Sequence, residues 1–77
     1  MIRIFLGGHL NFYHPQKDKW LEVEVNGATS LTEILNDAGI PLAEVNLVSV
    51  NGDVVELEGL MVSEEDDVRL YSATGGG

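Results

Sequence analysis

The chain has 77 residues and a mass of 8.4 kDa, one domain's length and too short to wall off a deep pocket, which excludes most self-contained enzymes. Thirteen acids against four bases give a net charge of -9, the wrong sign for holding nucleic acid or an anionic membrane. Cysteine is absent, so disulfides, a thiolate metal site and a cysteine nucleophile are excluded together.

Hydrophobic residues make up 44% and charged residues 22%, a balance that suits a folded domain rather than a disordered chain. The charge is uneven: Arg3, Lys17 and Lys19 precede residue 20, and the remainder carries twelve acids against Arg69 alone. A charged partner is therefore expected to present a basic face, although the same acidity would also keep a small protein soluble and monomeric. No apolar run approaches the ~20 residues of a membrane span, and the opening run is too short for a signal peptide, so a cytoplasmic location is expected.

Ile2, Ile4 and Leu6 alternate with Arg3 and Phe5, which predicts a strand with one face on the core. Gly7-Gly8 bends the chain, and the polar stretch His9 to Lys19, which holds Pro15, reads as a loop with Asn11 to Tyr13 as an extension of the first strand. Alternation returns from Trp20 to Val25, with Leu21, Val23 and Val25 on one side, and predicts a second strand antiparallel to the first.

After Asn26-Gly27 the period changes. Ser30 and Glu33 have the spacing of a reciprocal capping box, and Leu31, Ile34, Leu35 and Ala38 form one apolar stripe, so a helix is expected with that stripe on the sheet. Gly39 suits a left-handed C-cap and Pro41 stops the helix from resuming. Pro41 to Val45 suits a short helical turn ahead of a strand at Leu47 to Val50. Asn51-Gly52 predicts a tight hairpin turn into a partner strand at Val54 to Leu57. The acidic run Glu64 to Asp67 reads as a solvated turn, and Val68 to Ser72 as the last strand, with Arg69 and Tyr71 on the face opposite Val68 and Leu70. The sum is a two-layer α+β domain, one helix crossing a mixed sheet in which the last strand lies beside the first.

The titratable inventory is thin for catalysis. His9 and His14 are the only imidazoles and have no third ligand at metal-binding spacing, so no metal site is expected. Gly7-Gly8 lacks the lysine and hydroxyl of a phosphate loop. The informative feature is the end, Ser72-Ala73-Thr74-Gly75-Gly76-Gly77, which has no large side chain. Glycines lacking Cβ can thread a channel too narrow for other residues and bring an α-carboxylate to a reaction centre in another protein.

The capped helix running into Gly39-Ile40-Pro41, the Val50-Asn51-Gly52 hairpin, the acidic turn into Val68-Arg69-Leu70-Tyr71 and the glycine end together resemble the ubiquitin-like sulfur carriers of the MoaD and ThiS type over nearly the whole chain. The resemblance implies a β-grasp domain over residues 1–72, a mixed sheet of four to five strands crossed by one helix, and a flexible tail over residues 73–77. It implies a non-catalytic carrier without a bound cofactor, monomeric when free. Gly77 would be adenylated by a ubiquitin-activating-type enzyme using ATP and converted to a thiocarboxylate, with Gly75 and Gly76 as the slim tail and Arg69 and Tyr71 as partner-binding residues. The sulfur would then pass to a synthase subunit. The long stretch His9 to Lys19 favours the molybdopterin (MoaD) branch over the thiamine thiazole (ThiS) branch. Conjugation of Gly77 to lysines, as a protein modifier, and a plain interaction domain with an unstructured end are the other readings.

Overall fold

The structure, a computed structural model, describes residues 1–73. Strand β1 (Ile2–Gly7) pairs antiparallel with β2 (Trp20–Val23), Ile4 opposite Leu21 and Phe5 opposite Trp20. On its other side β1 pairs in parallel with β7 (Val68–Ser72), Leu6 opposite Leu70. β7 in turn pairs antiparallel with β4 (Val45–Val50), which forms a hairpin with β5 (Asp53–Val55). The five strands run in the order β2-β1-β7-β4-β5, so the first and last strands are neighbours at the centre of the sheet. β3 (Thr29–Ser30) and β6 (Met61–Val62) make a separate two-stranded ladder beside the start of the helix.

The helix α1 (Leu31–Asp37) lays Leu31, Ile34 and Leu35 on the sheet. There they meet the inward side chains of β1 (Ile2, Ile4, Leu6), β7 (Val68, Leu70), Leu21 and Val48, all at most 7% exposed. Alternation along each strand explains this one-sided core, because successive side chains leave opposite faces. The helix ends as its sequence prescribes. Gly39 takes φ +79°, its amide donates to the Asn36 carbonyl at 3.1 Å and the Ile40 amide to the Leu35 carbonyl at 2.9 Å. Those two bonds are the paired closure of a helix with a left-handed glycine after its cap, and they drive Ile40 into the core at 1% exposure. No helix among the described residues is long and apolar enough to cross a membrane.

Three expectations change. Asn11 to Tyr13 does not extend β1. Residues Leu10–Tyr13 form a 3₁₀ turn, because Gly8 at φ +63° turns the chain and Leu10, fully buried, anchors the turn to the core. The capping box is only half formed: the Ser30 hydroxyl accepts from the Glu33 amide at 3.4 Å and also bonds the Thr32 hydroxyl at 2.9 Å, with no return bond from Glu33 among the described residues. Ser30 sits in β3 opposite Met61, so the helix start is held by strand pairing as much as by its cap. The second strand stops at Val23 and the hairpin strand at Val55, short of Val25 and Leu57, whose side chains still pack on the core.

The acidic run is the expected solvated turn, with Glu64 and Glu65 exposed at its tip, and it also makes bonds that the sequence does not announce. Asp66 accepts from the Ser63 amide at 2.9 Å and from the Asn51 side-chain amide at 3.0 Å. The Asp67 amide donates to the Asn51 side-chain carbonyl at 2.8 Å and the Asp67 carbonyl accepts from the Asn51 amide at 2.9 Å. Asn51 and Gly52, at φ 53° and 89°, form the expected tight turn, and Asn51 also clamps that turn to the loop feeding β7. The hydrogen bonds from Ser63 and then Asn51 hold the Asp66 carboxyl below the ordinary carboxylate range, since donors aimed at a carboxylate favour its charged form.

Candidate functional site

The face of the sheet away from α1 has no covering element among the described residues. It collects the outward side chains of the central strands: Arg3 and Phe5 from β1, Trp20 and Glu22 from β2, Arg69 and Tyr71 from β7, with Leu47 of β4 opposite Tyr71. Phe5 and Trp20 meet edge to face with ring centroids 5.2 Å apart, and Phe5 and Tyr71 are 6.0 Å apart. The Arg3 guanidinium lies 4.4 Å from the Trp20 ring centre, and that of Arg69 lies 5.8 Å from both Phe5 and Trp20. These distances put both cations on aromatic faces.

Each cation also has an anion beside it. Arg3 Nε is 3.2 Å from Glu22, and Arg69 Nε donates to Asp67 at 3.1 Å. The bond to Asp67 holds Arg69 still more firmly in its charged form. Both pairs are solvent-exposed, where such bridges add little stability, so their effect is to set the position of two arginines over an aromatic floor. Leu47 at 36% and Tyr71 at 37% exposure extend the patch. Tyr and Arg are enriched among the residues that dominate protein binding energies.

Arg69 and Tyr71 thus lie together on the outward face, as the alternation of β7 predicts. Phe5, Trp20 and Arg3 complete the patch. The sequence carries them on the polar side of two predicted strands, and only the β2-β1-β7 adjacency brings them together. Gly75, Gly76 and Gly77 lie outside the described residues, as does the predicted tail beyond Ala73.

The route to that end is set by a contact the sequence does not announce. A Cβ on Gly7 would stand 2.6 Å from Tyr71 Cδ1 and 2.9 Å from the Leu70 carbonyl, and one on Gly8 would overlap the Ser72 hydroxyl. Close backbone approach is what these glycines provide, and it lets the His9 amide donate to the Ser72 hydroxyl at 2.9 Å. The end of β7 is therefore gripped by the turn that leaves β1. Elsewhere in that loop His9 stacks on Phe12 with centroids 6.3 Å apart and His14 Nδ1 accepts from the Gln16 amide, so each imidazole has a local contact.

Comparison with curated proteins and with solved structures gives no match. Residues 2–74 match the Mut7-C ubiquitin family. The match takes in every strand, the helix and the outward patch, and it stops before Gly75, so it carries the fold and not the chemistry of the glycines. With the β-grasp order of its sheet, the chain belongs to the Mut7-C ubiquitin family and is a ubiquitin-like small protein of the MoaD/ThiS type.

Proposed function

We propose that the chain is a sulfur carrier of the MoaD kind, its Gly77 carboxylate the group that other enzymes activate. The observation supporting this reading is the placement of β7. It is the central strand that bears Arg69 and Tyr71 on the outward patch, and its last residue, Ser72, leads within three residues to the glycines. A partner docked on the patch holds the same strand that delivers the terminus. The His9 to Lys19 stretch, which opens on a 3₁₀ turn at Leu10–Tyr13 and whose first amide, that of His9, bonds Ser72, supports the molybdopterin branch by its length.

A carboxylate is a poor electrophile. In the proposed reaction the Gly77 carboxylate attacks the α-phosphate of ATP on a ubiquitin-activating-type enzyme and releases pyrophosphate. A sulfur nucleophile then displaces AMP from the acyl-adenylate to leave the thiocarboxylate. A synthase subunit accepts the sulfur, and the carrier itself supplies position rather than catalysis.

The test is intact mass after incubation with such an enzyme, ATP and sulfide. Conversion adds about 16 Da, oxygen replaced by sulfur, when the nucleophile has displaced AMP. Deleting Gly76 and Gly77 abolishes both the gain and ATP–pyrophosphate exchange, whereas deleting Gly77 alone only reduces exchange. Unchanged exchange from the double deletion refutes the carrier reading. Recovery of Gly77 joined to lysines, without a thiocarboxylate, replaces it with the modifier reading.

A further inference from the structure

We propose that a second surface, the groove between the free edge of β2 and helix α1, accepts an extended basic peptide as an added strand. The groove has a volume of about 520 Å³ and lies on the side of the sheet that carries α1. Its floor is apolar: Leu21, Val23 and Val25 from the β2 segment face Ile34 and Ala38 of the helix. Burial weakens along that segment, from Leu21 at 7% exposure to a half-buried Val23 and Val25. The hydrophobic core is therefore open at this edge.

The backbone of β2 is open there too. The Leu6 amide bonds the Lys19 carbonyl at 2.7 Å. In an antiparallel ladder hydrogen-bonded pairs alternate with non-bonded ones. Leu21 and Val23, opposite Ile4 and Ile2, therefore spend their amides and carbonyls on β1, and those of Trp20 and Glu22 point outward. The Asp18 carboxylate takes the Trp20 amide at 3.1 Å. The amide and carbonyl of Glu22 have no partner among the described residues, and a peptide strand supplies one. Alternate side chains of that strand fall over Ile34 and Ala38; lysines there lay their aliphatic stems on the apolar floor and carry their ammonium groups to its rim, which is how strand addition combines main-chain affinity with side-chain selection.

Charge selects the occupant. Glu24, Glu33 and Asp37 rim the groove, and Glu33 and Asp37, one helical turn apart on α1, have no ion-pair partner among the described residues. Two like charges at that spacing repel, and a cation between them relieves both. A second copy of this chain, paired edge to edge, would instead set these acids against their own counterparts. The complementary partner is a peptide alternating apolar and basic residues. None of this uses the glycines or the outward patch, so it stands apart from the carrier reading.

The experiment is a nuclear magnetic resonance titration of the intact protein with a peptide of about nine residues, longer than a typical strand, alternating valine and lysine. Expected are shifts at the amides of Leu21 to Asn26 and Ile34 to Ala38, with slowed hydrogen exchange at Glu22. Glutamate in place of lysine, or a central proline in the peptide, removes binding. Glu33→Lys with Asp37→Lys weakens binding about tenfold or more, since opposed charges become like ones. Glu33→Gln with Asp37→Asn gives a smaller loss in the same direction. No shift, shifts confined to Phe5, Trp20 and Tyr71, equal binding of the proline peptide, or undiminished binding by both variants overturns the proposal.

Discussion

Gly8→Ala tests how the end of β7 is held. The substitution places a side chain at φ +63° and drives its Cβ into the Ser72 hydroxyl. The left-handed backbone costs a residue with a Cβ about 1–2 kcal/mol. Displacing Ser72 also breaks its bond from the His9 amide, 2.9 Å long and solvent-exposed, for about 0.5–1 kcal/mol more. The sum is about 2 kcal/mol, a large fraction of the stability of a small domain. Urea denaturation followed by Trp20 fluorescence measures it, provided the slope is unchanged so that midpoints compare directly. The same measurement in a Ser72→Ala background isolates the hydroxyl: with none to strike and no bond to break, Gly8→Ala costs less than in the parent, and what is left is the backbone cost of about 1–2 kcal/mol with the close approach to the residue-72 amide and Cβ, at 3.0 and 3.1 Å. A Gly8→Ala variant within about 0.5 kcal/mol of the parent, the size of an ordinary surface change, refutes the argument. An identical cost in both backgrounds shows that the hydroxyl overlap contributes nothing.

Three further outcomes are expected. Leu35→Ala, at a position with no exposure, lowers stability by about 2–5 kcal/mol, whereas Asn36→Ala, on the water side of the same helix, leaves the urea midpoint nearly unchanged. Asp66 has a folded-state carboxyl depressed below its unfolded value, so its contribution is present above about pH 4 and is lost as pH falls through the folded value. Asp66→Asn is therefore less stable than the parent at neutral pH and loses less on acidification, which thermal melts at a series of pH values would show. If the proposed carrier reading holds, Arg69→Glu, on an exposed face, raises the concentration of this protein needed for half-maximal ATP–pyrophosphate exchange about tenfold with little change in the maximal rate, as loss of a docking contact does.

Much of the fold is legible in the sequence because its strands and helix carry strict periods and its turns carry residues with particular backbone preferences. Ile2-Ile4-Leu6, the Leu31-Ile34-Leu35 stripe, Gly39 and Asn51-Gly52 each appear where the sequence places them. What the pattern missed is pairing between short segments distant along the chain. Thr29–Ser30 and Met61–Val62 are two residues each, too short for any period to register, and exist because each supplies the other's ladder. Asp66 looked like one more solvated acid because its partners, Ser63 and Asn51, include a residue fifteen positions away. Gly7-Gly8 reads as a bend, and only the parallel pairing of β1 with β7 shows that its missing side chains are what Tyr71 and Ser72 pack against.

Net charge illustrates the same limit for the site. A total of -9 predicts a basic partner, but a total does not say where the charges stand. The outward patch holds two of the four bases, each beside its own acid, over three aromatic rings, so a partner there meets a locally balanced apolar surface. The unpaired acids Glu33 and Asp37 are on the opposite side, at the α1 groove. The long-range field of the whole molecule can speed approach of a basic partner, an effect that weakens as salt rises, while under the proposed docking the patch would decide how long the partner stays. The two contributions separate in kinetics. On the outward patch, added salt should slow association with little change in dissociation, and Tyr71→Ala should speed dissociation at every salt concentration. Salt acting chiefly on dissociation would mean that the paired arginines, rather than the aromatic floor, hold the partner.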